Sequence, residues 1–416
     1  MTQHNPGPDA FPANEAALPG PQPAGPTRRQ ALLGACACTI GLGTPSLGAA
    51  AAGWPLDLSA FQRSDGALCM LPGSDWVDPY FALKALVLAS TFGAQLGNSW
   101  PRFARYITTI QDGAGLIPRE LGQASTAPAA KSQRLLRKQR SAVSTQTRSQ
   151  ADADDALLAL WLQAGSLLPS PAGLPASTMQ ESQLRAAAML QGPLWNQTMG
   201  LTRVFQQQET YLLIDNLEVW NAVQQLARSS PWVGLAALRR RLPSAQEWSR
   251  LESRLRQGIQ QQFPGLQTLS PAWCAPAAPW ELRLYPDGTA APLLWMAQRG
   301  ISPAASSTPS ARLAAWYSVY RDVWQASIQN EYPWGLLALS AYLEGQRSIA
   351  ASWVKQAATA KAQGRWHIME EVLLQVLGQL LSHNPPSSEA PPGSGGPDDT
   401  EELPLTIFGS TAHATE

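Results

Sequence analysis

Six stretches of this chain begin alike: one or more carboxylates, usually beside an aromatic ring, head a run of small and aliphatic residues with no wet side. They are SDWVDPYFALKALVLAS from Ser74, ADADDALLALWLQAG from Ala151, YLLIDNLEVWNAVQQL from Tyr211, LYPDGTAAPLLWMA from Leu284, NEYPWGLLALSAYLEG from Asn330 and RWHIMEEVLLQVLGQLL from Arg365. A helix that is apolar all round must be buried all round. More amphipathic segments follow most of them, such as PRFARYITTIQ, EWSRLESRLRQGIQQQF, ARLAAWYSVYRDVWQAS and IAASWVKQAATAK, whose charges suit a single solvent-facing stripe. No stretch sustains the alternation of a half-buried strand. The pattern predicts an all-α chain, a two-layer α/α toroid of six inner and about six outer helices. A solenoid of helical pairs is the competitor, but the spacings run from about forty to about eighty residues with no recurring consensus. In a toroid the inner helices begin at one common end, so their leading acids converge on one cleft.

Only part of the chain carries this pattern. Residues 1–52 read as a Pro-rich leader followed by an export signal, TRRQALLGACACTIGLGTPSLGAAAAGWP, with paired Arg28 and Arg29, an apolar stretch and small residues for cleavage. The apolar run is too short and Gly-rich to span a membrane. LGAC ending at Cys36 mimics a lipoprotein site but leaves only about half a dozen residues after the arginines, which favours soluble export to the periplasm or beyond. The folded region is expected over 53–382, interrupted at about 124–150 by a basic insertion, ASTAPAAKSQRLLRKQRSAVSTQTRSQ. That insertion reads either as a solvated loop or as a flap over an anionic substrate. The Pro-, Gly- and acid-rich end, 383–416, reads as disordered. Export removes Cys36 and Cys38, and leaves Cys69 and Cys274 either as one disulfide or as two separate buried thiols.

The composition narrows the function. The formal net charge is zero, which gives no electrostatic footprint for nucleic acid, and the only membrane contact implied is with the export machinery. Of the four histidines only His367 falls inside the fold, so neither a His-rich metal site nor a Ser-His-Asp triad is expected, and no cofactor is implied. Many of the sixteen tryptophans must be core, but a protein that binds sugar rings would also use flat aromatic faces. An oligosaccharide or polysaccharide is the expected partner; the oligomeric state is left open.

The acids at the helix heads have two readings. An N-terminal Asp or Glu caps a helix and is stabilising by roughly 0.3 to 1 kcal/mol. Capping, however, has no use for the aromatic residues Trp76, Tyr80, Trp220, Tyr285, Tyr332, Trp334 and Trp366 beside the acids. Cleaving a glycosidic bond needs one protonated and one ionised carboxyl across that bond. Asp75 beside Trp76 suits the acid, because an indole desolvates it; Asp154, or else Asp152, suits the ionised partner. Of the aspartates at 152, 154 and 155, one is expected to cap and another to face the glycan. Asp78, Asp155, Asp215 and Glu218 (one turn apart), Asp287 and Glu331 complete the ring, with Tyr80, Trp220, Tyr285, Tyr332 and Trp334 as sugar contacts. Glu370 and Glu371 read as structural partners of Arg365 or His367.

These patches resemble the six-hairpin (α/α)6 glycosidases, and among them the glycoside hydrolase family 8 endoglucanases that accompany bacterial cellulose synthesis. SDWVDPYFALKAL stands where that family has a Ser-Glu-Gly-Gln-Ser-Tyr-type segment bearing its general acid. ADADDALLALWLQAG is similar to its Ser-Asp-Ala-Asp-Leu segment, whose Asp contacts the sugar, and NEYPWGLLALSAYL to a late Tyr-Asp-Ala-type segment. The resemblance implies an inverting, endo-acting hydrolase. This chain departs from the pattern in offering Asp75 and Asp78 instead of Glu, one register off, without the Gly-Gln-Ser. A glycan-binding or assembly factor on the same fold is the alternative, and a polysaccharide lyase a third; the acids would repel a lyase's uronate.

Overall fold

The computed structural model describes residues 53–120, 148–149, 153–228, 243–263, 273–274, 284–299, 310–330 and 333–383. The export signal, most of the basic insertion and the acidic tail beyond His383 lie outside the described residues. Everything below belongs to the compact unit that begins at Gly53.

The fold is all-α. Eleven helices occur among the described residues: α1 Pro79–Thr91, α2 Ser99–Ile110, α3 Asp154–Leu167, α4 Ala176–Gln191, α5 Leu213–Arg228, α6 Ala245–Gln262, α7 Thr289–Arg299, α8 Ala311–Asn330, α9 Gly335–Leu343, α10 Arg347–Ala362 and α11 Ile368–His383. The odd-numbered helices up to α7, then α9 and α11, form the inner layer. Each packs on the next, α1 on α3, α3 on α5, α5 on α7, α7 on α9 and α9 on α11, and α11 returns to α1. That last contact closes the ring and excludes the solenoid. α4 lies outside α3, α6 outside α5, and α10 outside α9 and α11.

Sequence explains which helix goes where. All nine residues of α9 are buried, and so is α3 from Asp154 through Ala164, as all-apolar helices require. The outer α6 instead buries one stripe, Trp248, Leu251, Leu255 and Ile259, and turns its charges outward. It starts with a capping box in which the Ser244 hydroxyl accepts from the Glu247 N–H while Glu247 accepts from the Ser244 N–H.

Several tryptophans pack between the layers. Trp100, Trp161, Trp248, Trp316, Trp324 and Trp353 are fully buried. Several donate their indole N–H across the interface: Trp100 to the Pro169 carbonyl (2.7 Å), Trp161 to Ser182 (3.0 Å) and Trp316 to the Gly288 carbonyl (2.6 Å). An indole fills a wide gap between helices and still satisfies its one donor, so their number reflects a two-layer wall more than a sugar site. Cys69 is a free, buried thiol, pushed up to about 11 chiefly by burial.

Three two-residue antiparallel ladders, not foreseen from the pattern, occur among the described residues: β1 Arg119–Glu120 with β2 Arg148–Ser149, β3 Trp195–Asn196 with β4 Leu201–Thr202, and β5 Tyr211–Leu212 with β6 Trp273–Cys274. The first clasps the two ends of the basic insertion. Glu120 also exchanges backbone hydrogen bonds with Val77 (2.9 and 3.0 Å), which fixes the root of the insertion beside the start of α1.

Candidate active site at the N-terminal end of the inner ring

Contacts near the N-terminal ends of α1, α5, α9 and α11 bring those ends together. Tyr80 of α1 reaches Glu218 of α5, the Phe81 ring lies 5.4 Å from the His367 ring just ahead of α11, and Glu370 of α11 holds the N–H of Gly335 at the head of α9.

At α1, Pro79 opens the helix and Asp78 caps it, its carboxylate accepting from the Tyr80 N–H (3.2 Å) with Arg119 at 3.8 Å. Asp78 is therefore the N-cap of α1. Asp75 is exposed, and its carbonyl accepts from Arg63 (3.4 Å). The side chains that reach inward are Tyr80 and, one turn on, Lys84. Tyr80 donates to Glu218 Oε1 (2.8 Å), Lys84 forms an ion pair with the same oxygen, and Lys84 Nζ lies 3.0 Å from the Tyr80 hydroxyl. Burial first, then the charges of Glu218 and Asp215, hold the Tyr80 phenol well above its ordinary value, so it serves as a donor. Both acids of α5 thus bear on one phenol, as their one-turn spacing requires. Glu218 Oε2 has no hydrogen-bond partner among the described residues.

α3 begins differently from expectation. Its N-cap position is taken by Ala153, in extended conformation and with no capping side chain, while Asp154 and Asp155 occupy the first turn. Neither of these two acids is the N-cap. Both are turned into the protein, 3% and 0% exposed. Asp155 accepts from the Thr202 hydroxyl (2.8 Å) and from the Ala156 N–H (2.9 Å). Thr202, on β4, is itself fixed by Asn216 of α5, which accepts from the Thr202 N–H (2.8 Å) and donates to its carbonyl (3.1 Å). Burial pushes the Asp155 carboxyl up to about 7; Asp154 and Glu218 add to the rise, and the two hydrogen bonds oppose it. A carboxyl so raised keeps its proton in the folded chain from the ordinary 3.8 up to about 7, where the unfolded chain has lost it. Its contribution to stability is therefore present at low pH and is lost as pH rises through that window. The excess in Tm of the wild type over Asp155→Asn should shrink between about pH 4 and about pH 7; parallel Tm curves would refute the assignment.

Across the ring, the Tyr285 ring stacks on Trp334 (5.3 Å, 23°), and Tyr285 is 44% exposed. Trp334 is the sole non-glycine with positive φ among the described residues (54°), a conformation costing roughly 1 to 2 kcal/mol. Other expectations fare otherwise. Trp220 points to the outer layer, donating to Glu252 of α6 (2.8 Å). Glu371 takes the Trp366 indole (2.7 Å) and Lys361 (2.7 Å), a structural role with partners other than those foreseen. His367 accepts the Met369 N–H at Nδ1 (3.1 Å), so it caps α11, and burial holds it well below its ordinary value. Asp152, Glu331 and Tyr332, and the side chain of Asp287, lie outside the described residues.

The structure thus gathers Asp154, Asp155, Asp215, Glu218 and Tyr80 from the sequence-derived set, and adds Lys84, Thr202, Asn216 and Glu370. Lys84 had a signal, a lone cation within the apolar YFALKALVLAS; Thr202 sits in a connecting loop that carries none. No group of His, Cys, Asp and Glu suited to a metal ion occurs among the described residues, and no described helix is long and apolar enough to cross a membrane.

No protein-family model and no curated protein matches the chain. Among solved structures it is similar to a glycosidase in complex with glucose (11% identity, 78% of this chain and 94% of that one, TM-score 0.45). It is also similar to a wild-type glycosidase (12% identity, 77% and 94% of the two chains, TM-score 0.41).

Proposed function

We propose that this chain is a glycoside hydrolase acting on an oligosaccharide or polysaccharide at the N-terminal end of its inner ring. The observation that carries the reading is the convergence there of two unlike carboxyl environments. Asp155, beside Asp154, is raised towards neutrality by burial, while Glu218 is ion-paired with Lys84 and hydrogen-bonded by Tyr80. A carboxyl that keeps its proton towards neutrality, set near an ion-paired carboxylate, is the combination that bond cleavage by general acid and base requires. In this scheme the Asp154–Asp155 pair supplies the proton to the departing glycosidic oxygen. Glu218 takes a proton from water as that water attacks the anomeric carbon and the C–O bond breaks. The products are a hemiacetal and an alcohol, and inversion follows from single displacement. Asp75, being exposed, is given no part. The test is release of reducing ends by the full chain from soluble β- and α-glucans and xylan, with the first-formed anomer read by NMR. Binding without any release would refute hydrolysis.

One observation favours a second reading, a glycan binder or assembly factor. Asp78, Asp155 and Glu370 are at most 1% exposed and are engaged by protein partners, so fewer acids face the cleft than the sequence offers. Binding without turnover is its signature.

Export by the twin-arginine route belongs to the same proposal and rests on Arg28 and Arg29 ahead of the apolar stretch. Arg28→Lys with Arg29→Lys should leave unprocessed chain in the cytoplasm, read by cell fractionation; normal processing would refute that route.

A further inference from the structure

We propose that Glu370 is a positioning residue that sets the Tyr285–Trp334 pair as a stacking platform for one sugar ring, an inference that rests on the glycan reading above. Trp334 is held in its left-handed conformation from both sides. Its preceding carbonyl, of Pro333, accepts two indole N–H groups, from Trp324 of α8 (3.1 Å) and Trp353 of α10 (2.9 Å). Its following N–H, of Gly335, donates to both carboxylate oxygens of Glu370 (3.2 and 3.0 Å), which is 1% exposed. The approach leaves no space for a side chain at 335: a Cβ there would stand 2.6 Å from the Trp353 ring and 2.7 Å from Glu370 Oε2. Three helices thus over-determine one unfavourable backbone conformation, the circumstance in which such strain persists at ligand-clamping sites. With the backbone so held, the indole stacks on the Tyr285 ring (5.3 Å, 23°), and Tyr285 is one of only two exposed large hydrophobic residues among those described. A stacked pair of rings with one member exposed, close enough to Tyr80 for Tyr285 to act on its phenol, fits the C–H face of a pyranose.

The test titrates cellohexaose, maltohexaose and xylohexaose into the full chain by calorimetry. At least one should bind. Tyr285→Ala should weaken it about tenfold or more, and so should Trp334→Gly, which keeps the positive φ without strain and removes only the ring. Glu370→Ala should weaken it as much although both rings remain, and Glu370→Gln, which keeps an acceptor for Gly335, should return affinity to within about threefold. If Glu370→Ala does not fold, Glu370→Asp takes its place. A Glu370 variant that lowers Tm but binds like the wild type overturns the positioning role. Wild-type affinity in Tyr285→Ala and Trp334→Gly overturns the platform while the glycan reading stands. Binding of none of the three sugars overturns the glycan reading itself, and the platform with it.

Discussion

Glu218→Gln should cost about a hundred- to ten-thousandfold in glycan turnover and leave glycan affinity within a few-fold. The amide still accepts the Tyr80 hydroxyl, which the carboxylate holds at 2.8 Å, and the change removes the ability to take up a proton together with the charge that pairs Lys84. Asp154→Asn should fall in the same range, since it removes one member of the acid pair beside Asp155. The double variant should be little worse than either single one, because groups that act in one step are not additive. Asp75→Asn is the control. Its carboxyl is exposed, and its substitution should leave turnover unchanged. The inverse pattern, activity lost with Asp75 and kept with Glu218, would sink the assignment of the acid and base.

That contrast marks where the sequence could be read and where it could not. The inner and outer layers were legible because burial on all sides and burial on one side leave different periodicities; α9, with no exposed residue, and α6, with a single apolar stripe, stand at the two extremes. The convergence of the helix heads followed from the ring. What periodicity does not encode is rotation of a side chain about its helix. Asp75 and Asp78 are three residues apart in one short segment, yet one is in water and the other is buried as a cap. Trp220, adjacent in sequence to the acids of α5, points away from them to Glu252. Partners from other elements were equally hidden. Nothing in Leu201–Thr202 announces that a hydroxyl there will meet Asp155, because that meeting depends on a turn placed by packing against α6.

The same turn makes Gly258→Ala the substitution expected to destabilise most, by about 3 kcal/mol. Gly258 lies inside α6, where a glycine is otherwise about 1 kcal/mol worse than alanine, so on helix propensity alone the change would help. Space decides the opposite. A Cβ at 258 would stand 2.2 Å from the Gly200 carbonyl oxygen and 2.8 Å from that of Met199, both backbone atoms of the β3–β4 turn, and Gly200 is itself at φ 65°. No rotamer change relieves a clash with backbone; the turn or the helix must move. Because the turn runs directly into Thr202, moving it pulls the hydroxyl from Asp155 and the backbone from Asn216, so the loss of stability should come with a loss of glycan turnover. Gly378→Ala supplies the internal comparison. It lies on the exposed side of α11, with nothing within 4 Å of its added Cβ, and should stabilise by roughly 0.5 to 1 kcal/mol. Urea unfolding of the two variants beside the wild type reads both signs at once. A Gly258→Ala midpoint at or above the wild-type value would mean that α6 does not press on the turn, and the account of how Thr202 reaches Asp155 would fail with it.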